Sequence, residues 1–171
     1  MTYKFLIAKE DDLFEKYLFY MVKHRKSINS YFTLQQIYLF LQSHRTNGGA
    51  IVALDNAEDI IGAVGLVYGL PENVFQNKEI VRIELLHVKE EYRHTFLFYR
   101  GVKTVIRHLQ DSKPTVKEIE FYIPSGQPQL SKLLNKIAPY KNSEQTNFGD
   151  EDYYHVQLGD LSNKLEKLER R

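Results

Sequence analysis

From Ile80 to Ile123 the chain reads strand, helix, strand, and that run limits what the sequence can fold into. Ile80–Val88 alternates, with Val81, Ile83 and Leu85 on one side and Arg82, Glu84 and Leu86 on the other. A helical stretch from Phe96 to Gln110 follows, Pro114 closes it, and Val116–Ile123 alternates again. Two strands joined by a helix of that length should lie parallel through a right-handed crossover. Upstream, Ala50–Leu54 and Ile60–Tyr68 flank the polar turn Asp55–Asp59 and read as an antiparallel hairpin. Both features belong to one α/β fold, a mixed and mostly antiparallel central sheet with helices on both faces.

The remaining segments extend this frame. Tyr3–Ala8 reads as a first strand. Asp11 or Asp12 can cap a helix running to about His24, with Leu13, Tyr17, Tyr20 and Met21 as its apolar stripe. Thr33 followed by Gln36 predicts a capping box, and Leu34, Ile37, Tyr38 and Leu41 form the second helix's apolar face. Asn47-Gly48-Gly49 reads as a turn. Gly62 and Gly65 within a strand point to a bulge or a close backbone approach. Gln129–Ile137 is a short helix ended by Pro139, and Tyr140–Ser143 and Tyr153–Leu158 are short strands around a polar loop, Glu144–Asp152. Residues 1–158 are expected to form a single domain. Residues 159–171 are expected to be a charged helical tail, capped by Asp160, whose Leu161, Leu165 and Leu168 dock on the domain, fray, or contact a second copy.

Composition removes whole classes of chemistry. The chain has 23 basic and 22 acidic residues, so its formal charge of +1 gives no broad phosphate footprint and argues against nucleic acid as a partner. There is no cysteine, which excludes disulfides, thiolate nucleophiles and cysteine metal sites. The histidines show no metal-ligand spacing, so no metal is expected. No stretch approaches a membrane span, and the start MTYKFLIAKEDD lacks the apolar run of a signal peptide. The expectation is a cytoplasmic protein without a membrane partner.

The element order, with the stretch Ile83-Glu84-Leu85-Leu86-His87-Val88-Lys89-Glu90-Glu91-Tyr92-Arg93, resembles the GCN5-related N-acetyltransferase (GNAT) superfamily over residues 3–158. That resemblance implies a GNAT-like fold and transfer of an acetyl or other acyl group from a coenzyme A thioester, acetyl-CoA or another acyl-CoA, to the amine of a small molecule or a protein. In the family, an Arg/Gln-x-x-Gly-x-Gly/Ala loop opens the helix after this strand and its amides grip the cofactor's pyrophosphate. The resemblance therefore implies a cofactor site at Leu86, Val88, Arg93, His94, Thr95, Phe96, Leu97, Phe98 and Arg100. Two departures stand out. Phe96 and Phe98 occupy the places of the small residues, and Leu134 falls where members often carry the tyrosine that protonates the leaving thiolate.

The chemistry needs a base for the amine, polarisation of the acyl carbonyl and a proton for the thiolate. Glu84, on the strand four residues before Val88, is the candidate base. The alternative for it is a sheet carboxylate paired with Arg82. His87 is a second base candidate, since imidazole titrates near neutrality. Tyr140 is the candidate acid, with Tyr122 beside it. The amide of Leu86 or Val88 is a candidate donor to the acyl carbonyl, and Arg100, Lys103 and Arg107 make a basic stripe along the helix. Two functions follow: acyl transfer from coenzyme A to an amine, or a catalytically inactive protein of the same fold that works as a protein-binding or regulatory module, as a homodimer or with another protein.

Overall fold

The computed structural model describes residues 3–93 and 95–169. Its elements, in chain order, are β1 (Lys4–Ile7), α1 (Asp11–Ile28), α2 (Leu34–Asn47), β2 (Gly48–Leu54), β3 (Ile60–Tyr68), β4 (Ile80–Val88), α3 (Leu97–Ser112), β5 (Glu118–Pro124), α4 (Pro128–Leu134), β6 (Tyr140–Thr146), β7 (Gly149–Gln157) and α5 (Leu158–Glu169). The seven strands form one sheet in the order β1-β2-β3-β4-β5-β7-β6. The pairs β1–β2, β2–β3, β5–β7 and β6–β7 are antiparallel. The neighbours β4 and β5 are joined by α3, the crossover that a parallel pair requires. The mixed, mostly antiparallel sheet expected from the sequence is the sheet observed.

The chain divides into two compact units. The first comprises the residues up to Val67 together with Ile83–Val105. In it, α1 buries Phe14, Tyr17, Tyr20 and Met21, and α2 buries Ile37, Leu41 and His44. The capping box at Thr33 and Gln36 is present, with the Thr33 hydroxyl accepting from the Gln36 amide and the Gln36 side chain accepting from the Thr33 amide. Ala53, Ile61 and Leu97 form a core cluster against which Tyr3, Phe5, Val88 and Tyr92 pack. The hairpin turn is closed by Asp55, whose carboxylate accepts from the amides of Ala57 and Asp59.

The second unit comprises Tyr68–Arg82 and the chain from Ile106 onward. Phe121 stacks on Tyr154 with ring centroids 5.1 Å apart, and Leu109, Ile119 and Tyr154 are fully buried. Arg82 bridges Glu72 and Glu120, and Tyr153 donates to the second oxygen of Glu120 at 2.9 Å. Helix α5 follows β7 directly and buries Leu158, Leu161 and Leu165, so the tail docks as far as Leu165. The Leu168 side chain lies outside the described residues.

Several local expectations change. Asp11 and Asp12 do not cap α1. Glu10 occupies the cap position without a side-chain bond, and the two aspartates sit in the first turn, where they oppose the helix dipole's positive end. Helix α1 runs on to Ile28 rather than His24. Leu34 and Tyr38 are exposed, and His44 takes their place on the buried face of α2. Asp160 lies inside α5, which starts two residues earlier. The polar segment after Ser143 is strand, because β6 and β7 form a hairpin with paired residues out to Thr146 and Gly149.

Asn47-Gly48-Gly49 is not a loop. Helix α2 ends at Asn47 and β2 begins at Gly48. A Cβ at Gly48 would overlap the carbonyl oxygen of Leu66 on β3, so the direct helix-to-strand join depends on a residue without a side chain. Gly48→Ala should therefore destabilise the protein by about 2–3 kcal/mol. In thermal denaturation that corresponds to a Tm lower by roughly 5–10 °C. A Tm within a degree of wild type would show that the join has room to spare.

Candidate active site

The first unit carries nearly all the residues that the sequence singles out. Glu84 sits in the middle of β4 with its side chain only 5 % exposed. Its partner is not Arg82, which is engaged with Glu72 and Glu120. The Glu84 Oε2 atom instead accepts from His44 Nε2 at 3.1 Å, and His44 Nδ1 meets the Tyr17 hydroxyl at 2.8 Å. The Oε1 atom has no hydrogen-bond partner among the described residues and is not fully enclosed. A carboxylate on a central strand, fixed through one oxygen and open at the other, can take a proton from a group delivered to it.

His87 is differently placed. Its ring is buried, Nδ1 meets the Tyr20 hydroxyl at 2.8 Å, and Nε2 lies 3.3 Å from Ser27 Oγ. It stacks on His24 with ring centroids 4.4 Å apart. Burial first, then the nearby His24, Arg93 and Lys89, pull its pKa down to about 4. Burial and the charges of Lys23 and Lys89 also lower His24, against the opposing pull of Glu91. His87 is thus a neutral imidazole with both nitrogens occupied. It braces α1 against β4 rather than offering a free base.

The loop before α3 departs from the arrangement implied by the resemblance. Arg93 turns back toward α1, where its Nε donates to the Val88 carbonyl and its Nη2 to Ser27 Oγ. His94 lies outside the described residues. The Thr95 amide donates to the Tyr92 carbonyl, and the Leu97 amide donates to Thr95 Oγ1, both at 3.2 Å. Two of the amides expected to be open are therefore used within the chain. Phe96 is 78 % exposed, so its ring fills no interior space, while Phe98 is half-buried. The Leu97 side chain belongs to the core cluster. Arg100 is exposed on the first turn of α3 with its guanidinium 5.8 Å from the Tyr3 ring centre. Leu86 and Val88 are half-buried on β4.

Tyr140 opens β6 in the second unit. It is 47 % exposed, its hydroxyl pairs with Ser143 Oγ at 3.0 Å, and its ring meets Tyr154 edge-on. Tyr122 packs against Tyr153 in the same unit. Leu134 is buried. Among the described residues no group of three or more histidines, cysteines or acids could hold a metal ion. No helix among them is long and apolar enough to cross a membrane.

The sequence reading missed Tyr17, Tyr20, Ser27 and His44 as site residues. A signal for His44 was present. Ile37, Leu41 and His44 recur at helical spacing, which puts an imidazole on the buried face of α2, where it needs a partner.

The state of His87 sets a pH dependence. Its pKa is about 4 in the folded protein against 6.5 for a free imidazole, so between these values the unfolded chain binds more protons. Unfolding free energy should then fall as pH drops from about 6.5 to about 4, with His87 contributing at most about 3 kcal/mol across that window and less where solvent screens it. Urea denaturation at stepped pH measures this, and His87→Gln should flatten the slope. An unchanged slope in that variant would show that His87 is not the group responsible.

No protein-family model matches the sequence, and no curated protein resembles it at the level of sequence. Solved structures do resemble the fold. A GNAT-family acetyltransferase from Staphylococcus aureus Mu50 superposes with a TM-score of 0.69 at 12 % identity, covering 92 % of this chain and 99 % of that one. A putative acetyltransferase from Acinetobacter baylyi ADP1 gives 0.69 at 12 % identity, covering 91 % and 93 %. Spermidine N-acetyltransferase from Vibrio cholerae, solved in complex with CoA and spermine, gives 0.66 at 9 % identity, covering 94 % and 98 %. The expected fold is confirmed on these comparisons: the chain has the fold of the GNAT acetyltransferases.

Proposed function

We propose that this protein transfers an acyl group from a coenzyme A thioester to an amine, with Glu84 as the base. The observation that carries this reading is the Glu84 carboxylate. It is buried on β4 four residues before the strand's end and held by His44 through one oxygen only. Burying a carboxylate is costly, and a strand position this central is ordinarily given to an apolar residue.

The residues present fit an acyl-CoA ligand in part. Arg93, Arg100 and the start of α3 would bind its phosphates, through guanidinium donors and the positive end of the helix dipole. Arg93 would have to exchange its present bonds to Val88 and Ser27 for the ligand. Acetyl-CoA would supply the activated acyl group. The amine would give up a proton to Glu84 Oε1 as its nitrogen bonds the acyl carbon, and the carbon–sulfur bond would break. The thiolate, already a good leaving group, would take its proton from solvent. A small amine such as spermidine is the acceptor class supported by similarity to the Vibrio cholerae enzyme, with a protein amine as the wider alternative. A cytoplasmic location fits the need for coenzyme A.

The loop favours a second reading, an inactive protein of the same fold that binds other proteins. Its support is the internal use of the Thr95 and Leu97 amides and the aromatic residues at 96 and 98. Calorimetric titration with acetyl-CoA decides between the two. On the transferase reading, acetyl-CoA binds and slows hydrogen exchange across residues 88–100. Glu84→Gln then keeps that binding while losing turnover of acetyl-CoA with spermidine by about 10²- to 10³-fold. No heat of binding at millimolar acetyl-CoA would sink the transferase reading, and undiminished turnover by Glu84→Gln would remove Glu84 as the base.

A further inference from the structure

We infer that His44 and Tyr17 are the positioning residues of Glu84: they form a one-way donor chain that occupies Oε2 and leaves Oε1 as the basic atom. This rests on the role just proposed for Glu84 and adds two residues, one from each of the first two helices.

The chain's direction follows from the chemistry of its members. An ionised carboxylate only accepts hydrogen bonds, so the His44 nitrogen 3.1 Å from Glu84 Oε2 must carry a hydrogen. That nitrogen is Nε2. In a neutral imidazole the other nitrogen, Nδ1, is then an acceptor, and the group 2.8 Å from it, the Tyr17 hydroxyl, must donate. Tyr17 can do so because it stays a phenol. Its burial first, and then the charge of Glu84, push its pKa well above the ordinary value.

The backbone is built around this chain. Tyr17 and His44 are both fully buried, on α1 and α2. A Cβ at Gly65 on β3 would overlap both the His44 ring and the Tyr17 hydroxyl. Glycine at this strand position, poor for strand formation, opens the space in which phenol and imidazole meet. Donors on two helices and a gap on one strand thus converge on a single oxygen of the carboxylate on the next strand. Such a chain fixes the carboxylate's rotation.

Two isosteric replacements separate this role from packing. The glutamine amide nitrogen falls near the place of Nε2, and the asparagine amide near that of Nδ1. His44→Gln should retain a donor to Glu84, whereas His44→Asn should lose it while keeping a polar group beside Tyr17. With acetyl-CoA and spermidine as probes, His44→Asn should lower kcat by roughly 10- to 100-fold, the worth of a hydrogen bond to a charged group, with KM for acetyl-CoA unchanged. His44→Gln should recover most of that loss. Equal losses in both variants would overturn the proposal.

Nitrogen-15 NMR of imidazole-labelled wild-type protein, without acyl-CoA, reads the chain independently of turnover and of any variant's folding. The result expected is the Nε2–H tautomer for His44, retained in Tyr17→Phe because Glu84 Oε2 still requires that hydrogen. A dominant Nδ1–H tautomer in the wild type would overturn the proposal even if acyl transfer were observed. Absence of acetyl transfer by the wild type would instead strike the functional reading beneath it, while the tautomer would still report whether the chain runs as described.

Discussion

A carboxylate held inside a sheet must be paid for by its neighbours, and much of the first unit is arranged around Glu84. Removing an ionised group from water costs several kcal/mol unless hydrogen bonds replace the lost hydration. Here one replacement comes from His44, which itself needs a partner and finds it in Tyr17. Each step constrains the fold. Tyr17 fixes the rotation of α1, His44 that of α2, and Gly65 is needed on β3 so that the two can meet. An apolar residue at 84 would release all three positions from these demands.

Helix α1 repeats the device one turn later. Tyr20, three residues after Tyr17 and so on the same face, meets Nδ1 of a second histidine, His87. The two rings differ in what sits at Nε2. For His44 it is a carboxylate with an oxygen to spare, and for His87 it is the hydroxyl of Ser27, which also accepts from Arg93. The first arrangement leaves one carboxylate oxygen without a partner among the described residues, the oxygen that takes the proton on the proposed function. The second closes on itself and ties the end of α1 to the loop after β4. Similar side chains thus hold different duties because their last partners differ.

How much of this could be read from the residues follows from the range of the forces involved. The β3 and β4 boundaries, the capping box at Thr33 and the sheet's mixed character are set by local pattern, and each was legible. The β6–β7 hairpin was not, because its outer strand is Tyr-Lys-Asn-Ser-Glu-Gln-Thr, an exposed edge with no apolar alternation, and only pairing with β7 makes it a strand. Gly48 looked like a turn because Gly-Gly usually is one, whereas here the glycine answers to a carbonyl on a neighbouring strand. At the site, Glu84 stood out from its place on the strand. Its partner did not, since His44 is 40 residues away and chosen by the packing of α2. Arg82, the nearer cation in sequence, was taken by Glu72 and Glu120.

The loop before α3 shows why fold and activity have to be argued separately. Glycines at a phosphate loop leave amides with nowhere to bond except a ligand. In this chain Thr95 satisfies one such amide with its own hydroxyl and gives another to Tyr92. A ligand would compete against bonds of 3.2 Å, long for an amide donor and correspondingly weak. On the proposed function, the cost of exchanging them would be set against what a diphosphate would gain from two guanidinium groups and a helix terminus. Phe96 poses no steric bar, because its ring already points to solvent. What the substitution removes is the close backbone approach that a glycine permits, so a phosphate held here would depend more on Arg93 and Arg100 and less on main-chain amides. On the proposed function, the altered loop would shift phosphate recognition from backbone to side chains.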